Sequence, residues 1–356
     1  MTSPPREPSA PLRVALIGYG YAGRTFHAPL IRSTPGLRLV SVCSRDATRV
    51  HRDLPGIAVT ASLDDAIAGG DADLIVIATP SHTHARLAMA SLRAGKHVVV
   101  EKPLALTHAS ASDVARTARE KGRIVSVFHN RRWDGDFITL RQILERDTLG
   151  RVAHFESHFD RYRPEVKDRW RERAGPGAGV WYDLGPHLVD QALLLFGRPD
   201  RVLGDLATLR DAAVVDDWAH VVLDYPARRV VLHASMLVAG DPVRFVVHGR
   251  RGTWVMQGAD VQEQQLQRGL TPLDPSWGEN PRRGRLIDGA TGVTVETPTA
   301  QGAYERFYMG VRDAILDRGP NPVSIDDALA VITIVETAIE SSKQRRALTP
   351  DMSDPR

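Results

Sequence analysis

Short apolar segments alternate with amphipathic ones over about the first third of the chain. Between several of the apolar segments lie helical patterns, at 22–33, 63–69, 82–95 and 108–122. This alternation predicts a parallel sheet with right-handed crossovers, the architecture of a Rossmann nucleotide-binding domain. Six segments have the β-branched, nearly all-apolar character of strands buried on both faces: LRVALIG (12–18), LRLVSVC (37–43), IAVT (57–60), LIVIAT (74–79), HVVVEKP (97–103) and RIVSVF (123–128).

The pattern changes after about His129, where strand-like segments begin to follow one another. Their partial alternation of polar and apolar positions is typical of an antiparallel sheet covered on one face. A helix that opens at Asp183 joins the first of these segments to the rest, and two helices close the chain at 303–319 and 324–346. The region 258–300, rich in Gln, Gly, Pro and Arg, is predicted to be a loop. The strand-like segments are 151–162, 217–225, 228–237, 243–249 and 252–257.

The 356 residues are too many for one ordinary core and predict two domains. The predicted organisation is a disordered tail (1–11), a Rossmann domain (12–128), an α+β substrate and dimerisation domain (129–348) and a second tail (349–356). The C-terminal helix is able to pack back on the Rossmann domain. The fold class is therefore α/β, with a parallel sheet followed by an α+β domain.

Charge and cysteine content exclude several classes of function. Lys and Arg outnumber Asp and Glu by only 46 to 43, and the basic clusters lack interleaved aromatic residues, so no nucleic-acid partner is expected. The chain has one cysteine, Cys43, which excludes an internal disulfide framework and fits a cytoplasmic protein. No segment has the length of a membrane span. No metal is expected, because the histidines show no ligand spacing supported by nearby carboxylates.

The sequence GYGYAG, residues 18–23, directly follows the first predicted strand and precedes a helix. Its glycines have the G-x-G-x-x-G spacing, which provides a tight turn, a close approach of the backbone to a pyrophosphate, and helix–strand packing. A dinucleotide site is therefore predicted here. The cofactor-binding candidates in this loop are Gly18, Tyr19, Gly20, Tyr21, Ala22 and Gly23.

The end of the second predicted strand bears on the choice of dinucleotide. An acid there would accept hydrogen bonds from the ribose of NAD, whereas a small polar residue with an arginine suits the 2′-phosphate of NADP. The chain has Ser44 and Arg45 at this point, which favours NADP; a register two residues later would place Asp46 there and favour NAD.

Glu101, Lys102 and Pro103 follow the fifth predicted strand. Because ligands of open parallel sheets bind beyond the carboxyl ends of the strands, Lys102 is expected to face the cofactor crevice. Further along the chain, Asp183 and His187 are four residues apart and would share one face of a helix. Pro186 is expected in the first turn of that helix, which places Asp183 at the N-cap and His187 one turn on.

Together with GYGYAG, the segments at 78–107, 130–137 and 179–197 resemble the glucose-fructose oxidoreductase, inositol dehydrogenase and rhizopine-catabolism family (Gfo/Idh/MocA). Within it, 158–172 and 321–331 are similar to the branch of NADP-dependent scyllo-inositol dehydrogenases. The resemblance extends from about Leu12 to about Leu348 and implies a Rossmann domain followed by an open-faced, mainly antiparallel sheet, through which members often pair as homodimers or homotetramers.

The resemblance also implies residue roles. It assigns catalysis to Lys102, Asp183 and His187, with His187 as the base, Lys102 as a donor to the substrate oxygen, and Asp183 favouring a protonated His187. Further cofactor contacts are expected from Thr79, Pro80, His84, Glu101, Lys102, Pro103, Asn130 and Arg132. Substrate contacts are expected from Lys102, Trp133, Asp160, Tyr162, Asp183 and His187. For Arg132 the alternative is an ion pair at the domain junction, and for His84 a solvent-facing helix position.

The implied activity is hydride transfer between NADP and a secondary alcohol or ketone of a polyol, inositol or sugar. The alternative is a non-catalytic sensor of the same fold that binds NADP and a sugar.

Overall fold

The computed structural model describes residues 10–68 and 72–352. Most of the predicted N-terminal tail (1–9), the last residue of the predicted helix 63–69, and residues 353–356 of the predicted C-terminal tail lie outside the described residues. Among the described residues, no helix combines the length and apolar character needed to cross a membrane.

The first sheet has six strands in the order β3-β2-β1-β4-β5-β6, and all neighbouring pairs are parallel. Its central strands are buried on both faces, which explains their continuous apolar sequences. The strands are β1 Leu12–Ile17, β2 Leu37–Cys43, β3 Ala58–Thr60, β4 Leu74–Ile77, β5 His97–Val100 and β6 Val125–Val127.

Helices connect these strands. A π-helical turn at Gly23–His27 leads into α1 (Ala28–Ser33), and the others are α2 Ala47–Asp53, α3 Leu63–Ala68, α4 His84–Arg93 and α5 His108–Lys121. Thr107 caps the start of α5, since its hydroxyl accepts a hydrogen bond from the Ser110 amide, and Gly122 caps the end in the left-handed conformation. The predicted Rossmann sheet is confirmed.

The second sheet has eight strands in the order β14-β13-β12-β11-β7-β10-β9-β8. Only β7 and β10 pair in parallel, so the sheet is mainly antiparallel, as predicted. One face packs on helices, and the other lacks a covering layer among the described residues. The strands are β7 Val152–Asp160, β8 Arg201–Ala207, β9 Trp218–Tyr225, β10 Arg228–Ser235, β11 Val243–Gly249, β12 Gly252–Gln257, β13 Arg283–Asp288 and β14 Thr294–Pro298.

The first sheet and its helices form the first half of the protein, and the second sheet and its helices form the second half. The helices of the second half are α6 Gly135–Glu145, α7 Val180–Phe196, α8 Gln262–Gln267, α9 Glu305–Ile315 and α10 Ile325–Gln344. Helix α10 packs against α7 and β8 on one side and against α5 and β6 of the first half on the other. The Trp181 indole, fully buried, donates a hydrogen bond to the Val335 carbonyl of α10. The two halves therefore share one continuous core.

The prediction of a loop over 258–300 is wrong. This region contains α8 and the edge hairpin β13–β14, which extends the second sheet beyond β12. The hairpin strands are short and largely exposed, so they lack the apolar periodicity on which the prediction relied.

Candidate active site

The glycine loop forms the expected turn at the carboxyl end of β1. Gly18 has a φ of +98°, and a Cβ there would lie 2.6 Å from the Ala78 carbonyl oxygen; a Cβ on Gly23 would lie 2.1 Å from the Gly18 oxygen. A Cβ on Gly20 would meet nothing within 4 Å. The first and third glycines are thus required by backbone packing, and the second faces open space.

Ser44 and Arg45 lie beside this loop. The Gly18 amide donates to the Cys43 carbonyl at 3.0 Å, which places the residues after β2 next to the residues after β1. Asp46 does not extend toward the loop, because its carboxylate caps α2 through the Arg49 amide at 2.9 Å. Arg45 is exposed.

A cavity of about 360 Å³ opens at the carboxyl ends of the first sheet's strands. Its walls combine the glycine loop, the loops after β4 and β5, and a segment of the second half. The lining residues that the sequence predicted are Gly20, Tyr21, Ala22, Thr79, Pro80, His84, Glu101, Lys102 and Pro103. Tyr19 is instead buried away from this cavity, and Asn130 is buried in a 3₁₀ turn after β6.

His84 is not on a solvent face. It is buried, and its ring nitrogens lie 2.7 Å from the Pro103 carbonyl oxygen and 2.9 Å from the Thr79 carbonyl oxygen. The imidazole therefore ties together the two loops that line the cavity after β4 and β5.

Glu101 belongs to a second buried chain of hydrogen bonds. Its carboxylate lies 3.0 Å from His27 Nε2, and the Tyr308 hydroxyl of α9 lies 2.6 Å from His27 Nδ1. Burial opposes ionisation, but the hydrogen bond with His27 nevertheless lowers the pKa of Glu101. This chain links the loop that carries Lys102 to the second half of the protein.

Lys102 and Asp183 form a partly buried ion pair, with side chains 9% and 20% exposed. Lys102 Nζ lies 3.1 Å from Asp183 Oδ1 and also donates a hydrogen bond to the Asp183 carbonyl oxygen. Burial lowers the pKa of Lys102, against the raising effect of Asp183. Burial opposes ionisation of Asp183 as well, but Lys102, Arg171 and Arg161 hold the pKa of Asp183 well below its usual range. Asp183 is thus an anion among three cations.

Helix α7, which carries Asp183 and His187, begins at Val180 and not at Asp183. The amides of Val180 and Trp181 donate to the main-chain and carboxylate oxygens of Asp216, at 2.8 and 2.7 Å. The predictions of Asp183 as N-cap and of Pro186 in the first turn are therefore wrong. Pro186 stands inside the helix, where its missing N–H leaves the carbonyl four residues earlier without a helical partner.

His187 lies one turn beyond Asp183, but its imidazole faces different neighbours. The ring centroid lies 6.3 Å from that of His129 and 6.1 Å from that of Phe159, and Nδ1 is buried without a hydrogen-bond partner among the described residues. Burial and the nearby Lys102, Arg131, His129 and Arg244 lower the pKa of His187 well below its usual range. The expectation that Asp183 favours protonated His187 is wrong, because burial and the nearby basic side chains lower the pKa of His187 instead.

The second half contributes lining residues that sequence reasoning did not identify. Trp170, Arg171, Gly177 and Tyr182 form one wall of the cavity. Arg171 Nε lies 3.1 Å from Asp183 Oδ1, and its guanidinium stacks over Trp170 at 4.5 Å. In the sequence, these residues belong to a basic segment with a tryptophan before α7. The segment has no apolar periodicity, so the sequence did not show where it would lie.

Helix α8 contacts the glycine loop. The Tyr21 hydroxyl donates to Glu263 Oε1 at 2.6 Å and accepts from Gln267 Nε2 at 2.6 Å, while Arg131 donates to Glu263 Oε2 at 2.6 Å. Burial and the hydrogen bond to Glu263 raise the pKa of Tyr21 to about 12, so the phenol stays protonated and keeps donating. The region expected to be a loop therefore contacts the glycine loop, which lines the cavity.

Arg132 and Trp133, two residues predicted to bind ligand, have other partners. Arg132 makes a buried ion pair with Asp190, with a shortest distance of 2.6 Å, so the junction ion pair is the correct alternative. Trp133 packs edge-to-face on Phe307, with ring centroids 5.9 Å apart.

Asp160 and Tyr162 also lie away from the cavity. Asp160 projects from the open face of the second sheet toward His158 and His233. Tyr162 is exposed and forms a bridge with Leu237. Strand alternation explains this outcome, because Phe159, which approaches His187, occupies the opposite face of β7 from Asp160.

Two family models match the chain: the oxidoreductase family NAD-binding Rossmann fold over residues 12–129, and the C-terminal alpha/beta domain of the same family over 141–349. The oxidoreductase YdgJ of Escherichia coli, described as uncharacterized, is 48% identical over 95% of this chain and 98% of its own. The scyllo-inositol 2-dehydrogenase (NADP(+)) IolW of Bacillus subtilis is 35% identical over 95% of both chains. A crystal structure from Klebsiella pneumoniae superposes with a TM-score of 0.91, at 50% identity over 96% of both chains.

Proposed function

Because the chain belongs to the Gfo/Idh/MocA family of oxidoreductases, we propose that it transfers hydride between NADP(H) and a secondary alcohol or ketone of a polyol, inositol or sugar. The observation that carries this proposal is the Lys102–Asp183 ion pair, whose lysine lines the cavity that the glycine loop also lines. A charged donor for the substrate oxygen beside a crevice for a dinucleotide is what hydride transfer to or from a carbon–oxygen bond requires.

The residues at the crevice fit a dinucleotide. The space over Gly20 is open to a pyrophosphate, and Ser81 Oγ is buried at the cavity without a hydrogen-bond partner among the described residues. We assign the pyrophosphate to the glycine loop, the nicotinamide end to Thr79, Pro80 and the loop of Lys102, and the adenosine end to Ser44 and Arg45.

When bound, the nicotinamide supplies or accepts the hydride. In the direction of oxidation, the neutral imidazole of His187 accepts the hydroxyl proton of the substrate, and Lys102 Nζ donates to the same oxygen as negative charge develops. Asp183 keeps Lys102 charged in its buried position and holds the ammonium in place. Arg171 lines the cavity and provides a second cation beside the Asp183 carboxylate.

NADP is proposed over NAD because Ser44 and Arg45 directly follow β2, and the next residue, the acid Asp46, caps α2. The carboxylate of Asp46 is held by the amide and guanidinium of Arg49, at 2.9 and 3.1 Å, and Arg45 makes no ion pair with a described residue. The dehydrogenase IolW, whose name specifies NADP, supports the same choice.

Replacing Arg45 with alanine is expected to raise the KM for NADPH about 10- to 100-fold and to leave the KM for NADH nearly unchanged. The lost interaction is a charge-assisted hydrogen bond to the 2′-phosphate, worth about 1.5–3 kcal/mol. Steady-state kinetics with NADPH and with NADH measures both KM values. Arg52→Ala is the matched control, because Arg52 lies on α2 but pairs with Asp53 at 3.0 Å. Equal losses with both cofactors would contradict the assignment.

Replacing Tyr21 with phenylalanine is expected to speed release of NADPH roughly 5-fold, since the loss of a hydrogen bond costs about 1 kcal/mol. The hydroxyl joins the glycine loop to α8, and without it the glycine loop, which lines the cavity, is held less firmly. Stopped-flow fluorescence of NADPH displacement measures the rate. If Tyr21→Phe and the wild type release NADPH at the same rate, the contact does not retain the cofactor.

The second candidate function is a sensor that binds NADP and a sugar without turnover. A panel of inositols, inososes, aldoses and sugar acids, assayed with NADP⁺ and NADPH, separates the two. Turnover of any member supports the enzyme, whereas tight NADP binding without turnover across the panel supports the sensor.

The proposal also includes the domain organisation at 12–128 and 129–348, pairing of chains through the open face of the second sheet, and a cytoplasmic location. Light scattering of the purified protein measures the oligomeric state.

A further inference from the structure

The open face of the second sheet carries a row of imidazoles. His233 of β10 is paired in register with His220 of β9 on one side and with His158 of β7 on the other. Because alternate residues of a strand share a face, Glu156 and Asp160 flank His158 in the same row. The opposite face of β7 carries Phe159 toward His187, so the row is separated from the proposed active site by the thickness of the sheet.

Within this row, His158, Asp160 and His233 form a cluster with Asp160 at its centre. Its Oδ2 lies 3.3 Å from His158 Nδ1, its Oδ1 lies 3.7 Å from His233 Nε2, and one ligand atom from each residue falls within 4.8 Å of the others. The carboxylate is only 5% exposed, yet Oδ1 has no hydrogen-bond partner among the described residues. A buried carboxylate oxygen without a partner is costly, and a cation between Asp160 and the two imidazoles would satisfy it.

The remaining nitrogens of both imidazoles are oriented by further contacts. His158 Nε2 lies 2.9 Å from Glu156 Oε2, and His233 Nδ1 lies 3.4 Å from His220 Nδ1. Histidines that ligate a metal typically donate their second N–H to a carboxylate or another acceptor, which fixes the tautomer and the ring. The cluster thus has both an inner set of ligands and an outer set of supporting partners.

We propose that His158, Asp160 and His233 bind a divalent transition-metal ion of the zinc type. Bonds of 2.0–2.2 Å in a tetrahedral zinc site place neighbouring ligand atoms about 3.3–3.6 Å apart. One ligand atom from each of the three residues lies within 4.8 Å of the others, so small side-chain rotations would bring the set to zinc-binding distance. Two imidazole nitrogens and one carboxylate favour Zn²⁺ over Mg²⁺ or Ca²⁺, which prefer oxygen ligands.

The ion would cross-link β7 and β10, the one parallel pair of the second sheet. The sequence-based expectation of no metal site relied on ligand spacing along the chain. The register of two strands that are far apart in sequence supplies a ligand set that such spacing does not reveal.

The test uses the full-length protein without a histidine tag, stripped with a chelator and dialysed against Zn²⁺. We expect one Zn²⁺ per chain by elemental analysis and an affinity for Zn²⁺ well above that for Mg²⁺ by calorimetry. His233→Ala and Asp160→Asn should each weaken zinc binding by at least about 10-fold, since even the loss of an outer partner costs 10- to 100-fold. Co²⁺ should give tetrahedral absorption bands in the wild type that His233→Ala abolishes.

His248→Ala is the matched control, because His248 lies on β11, bonds Thr253 at 2.8 Å, and is not part of the cluster. Its zinc affinity should equal that of the wild type. Absence of bound Zn²⁺ from the wild type overturns the proposal, as does equal affinity in the wild type and His233→Ala. Circular dichroism checks that each variant folds, and His233→Gln replaces any variant that does not. The readout is independent of turnover, so failure of the proposed activity does not affect it.

Discussion

Replacing Lys102 with methionine is expected to lower kcat about 10²- to 10³-fold, the usual loss when one donor to a developing oxyanion is removed. Methionine keeps much of the buried aliphatic stem and removes the ammonium that pairs with Asp183 at 3.1 Å. The change eliminates a donor whose effect is largest in the transition state, so kcat should fall more than KM rises.

Steady-state kinetics on the fastest substrate of the panel measures this effect, and fluorescence titration with NADPH checks that the cofactor still binds. Lys121→Met, at the exposed end of α5, is the control for loss of a lysine. The fold should survive, because Arg171 remains 3.1 Å from Asp183 and keeps the carboxylate paired. A kcat within a few-fold of the wild type would remove Lys102 from the mechanism.

Replacing His187 with glutamine or alanine is expected to lower the rate of alcohol oxidation about 10²- to 10⁴-fold while NADP(H) affinity is unchanged. The two variants distinguish a base from a positioning group. Glutamine can hold a hydroxyl by hydrogen bonding but cannot accept its proton, so both variants should be equally slow if His187 is the base. Substantial activity in His187→Gln alone would assign His187 to positioning.

The pH profile gives an independent check on the same residue. The imidazole has a pKa below its ordinary value of 6.5, so the neutral, proton-accepting form prevails at pH 6.5 and above. The acidic limb of kcat/KM for oxidation should therefore lie below pH 6.5. Burial lowers the pKa of Lys102 from 10.5, so the alkaline limb, where the donor loses its proton, should lie below pH 10.5. An acidic limb above pH 7 would contradict a neutral His187.

Much of the first half followed from local pattern. Continuous apolar strands and the glycine spacing each depend on residues within a few positions of one another, so the sequence predicted the parallel sheet and the cofactor loop. Lys102 was predicted for a similar reason, because the residue after a parallel strand necessarily lies at the carboxyl edge of the sheet.

Other features depend on residues that meet only in the folded chain. Helix α7 starts earlier than its own sequence indicates because Asp216, from the loop between β8 and β9, satisfies its first amides. The same packing places Lys102 and Arg171 against Asp183 and surrounds His187 with groups that lower its pKa. No periodicity along one segment encodes such pairings.

By itself, therefore, the sequence determined the fold class, the glycine loop and the identity of the residues at the ends of the strands, because local periodicity and steric limits act over short stretches. Only the tertiary structure decided the partners of those residues. It assigned Arg132 to Asp190, brought α8 to Tyr21, and turned Asp160 to the open face beside His158 and His233. These outcomes depend on strand register and on the packing of two halves distant in sequence, which a linear pattern does not specify.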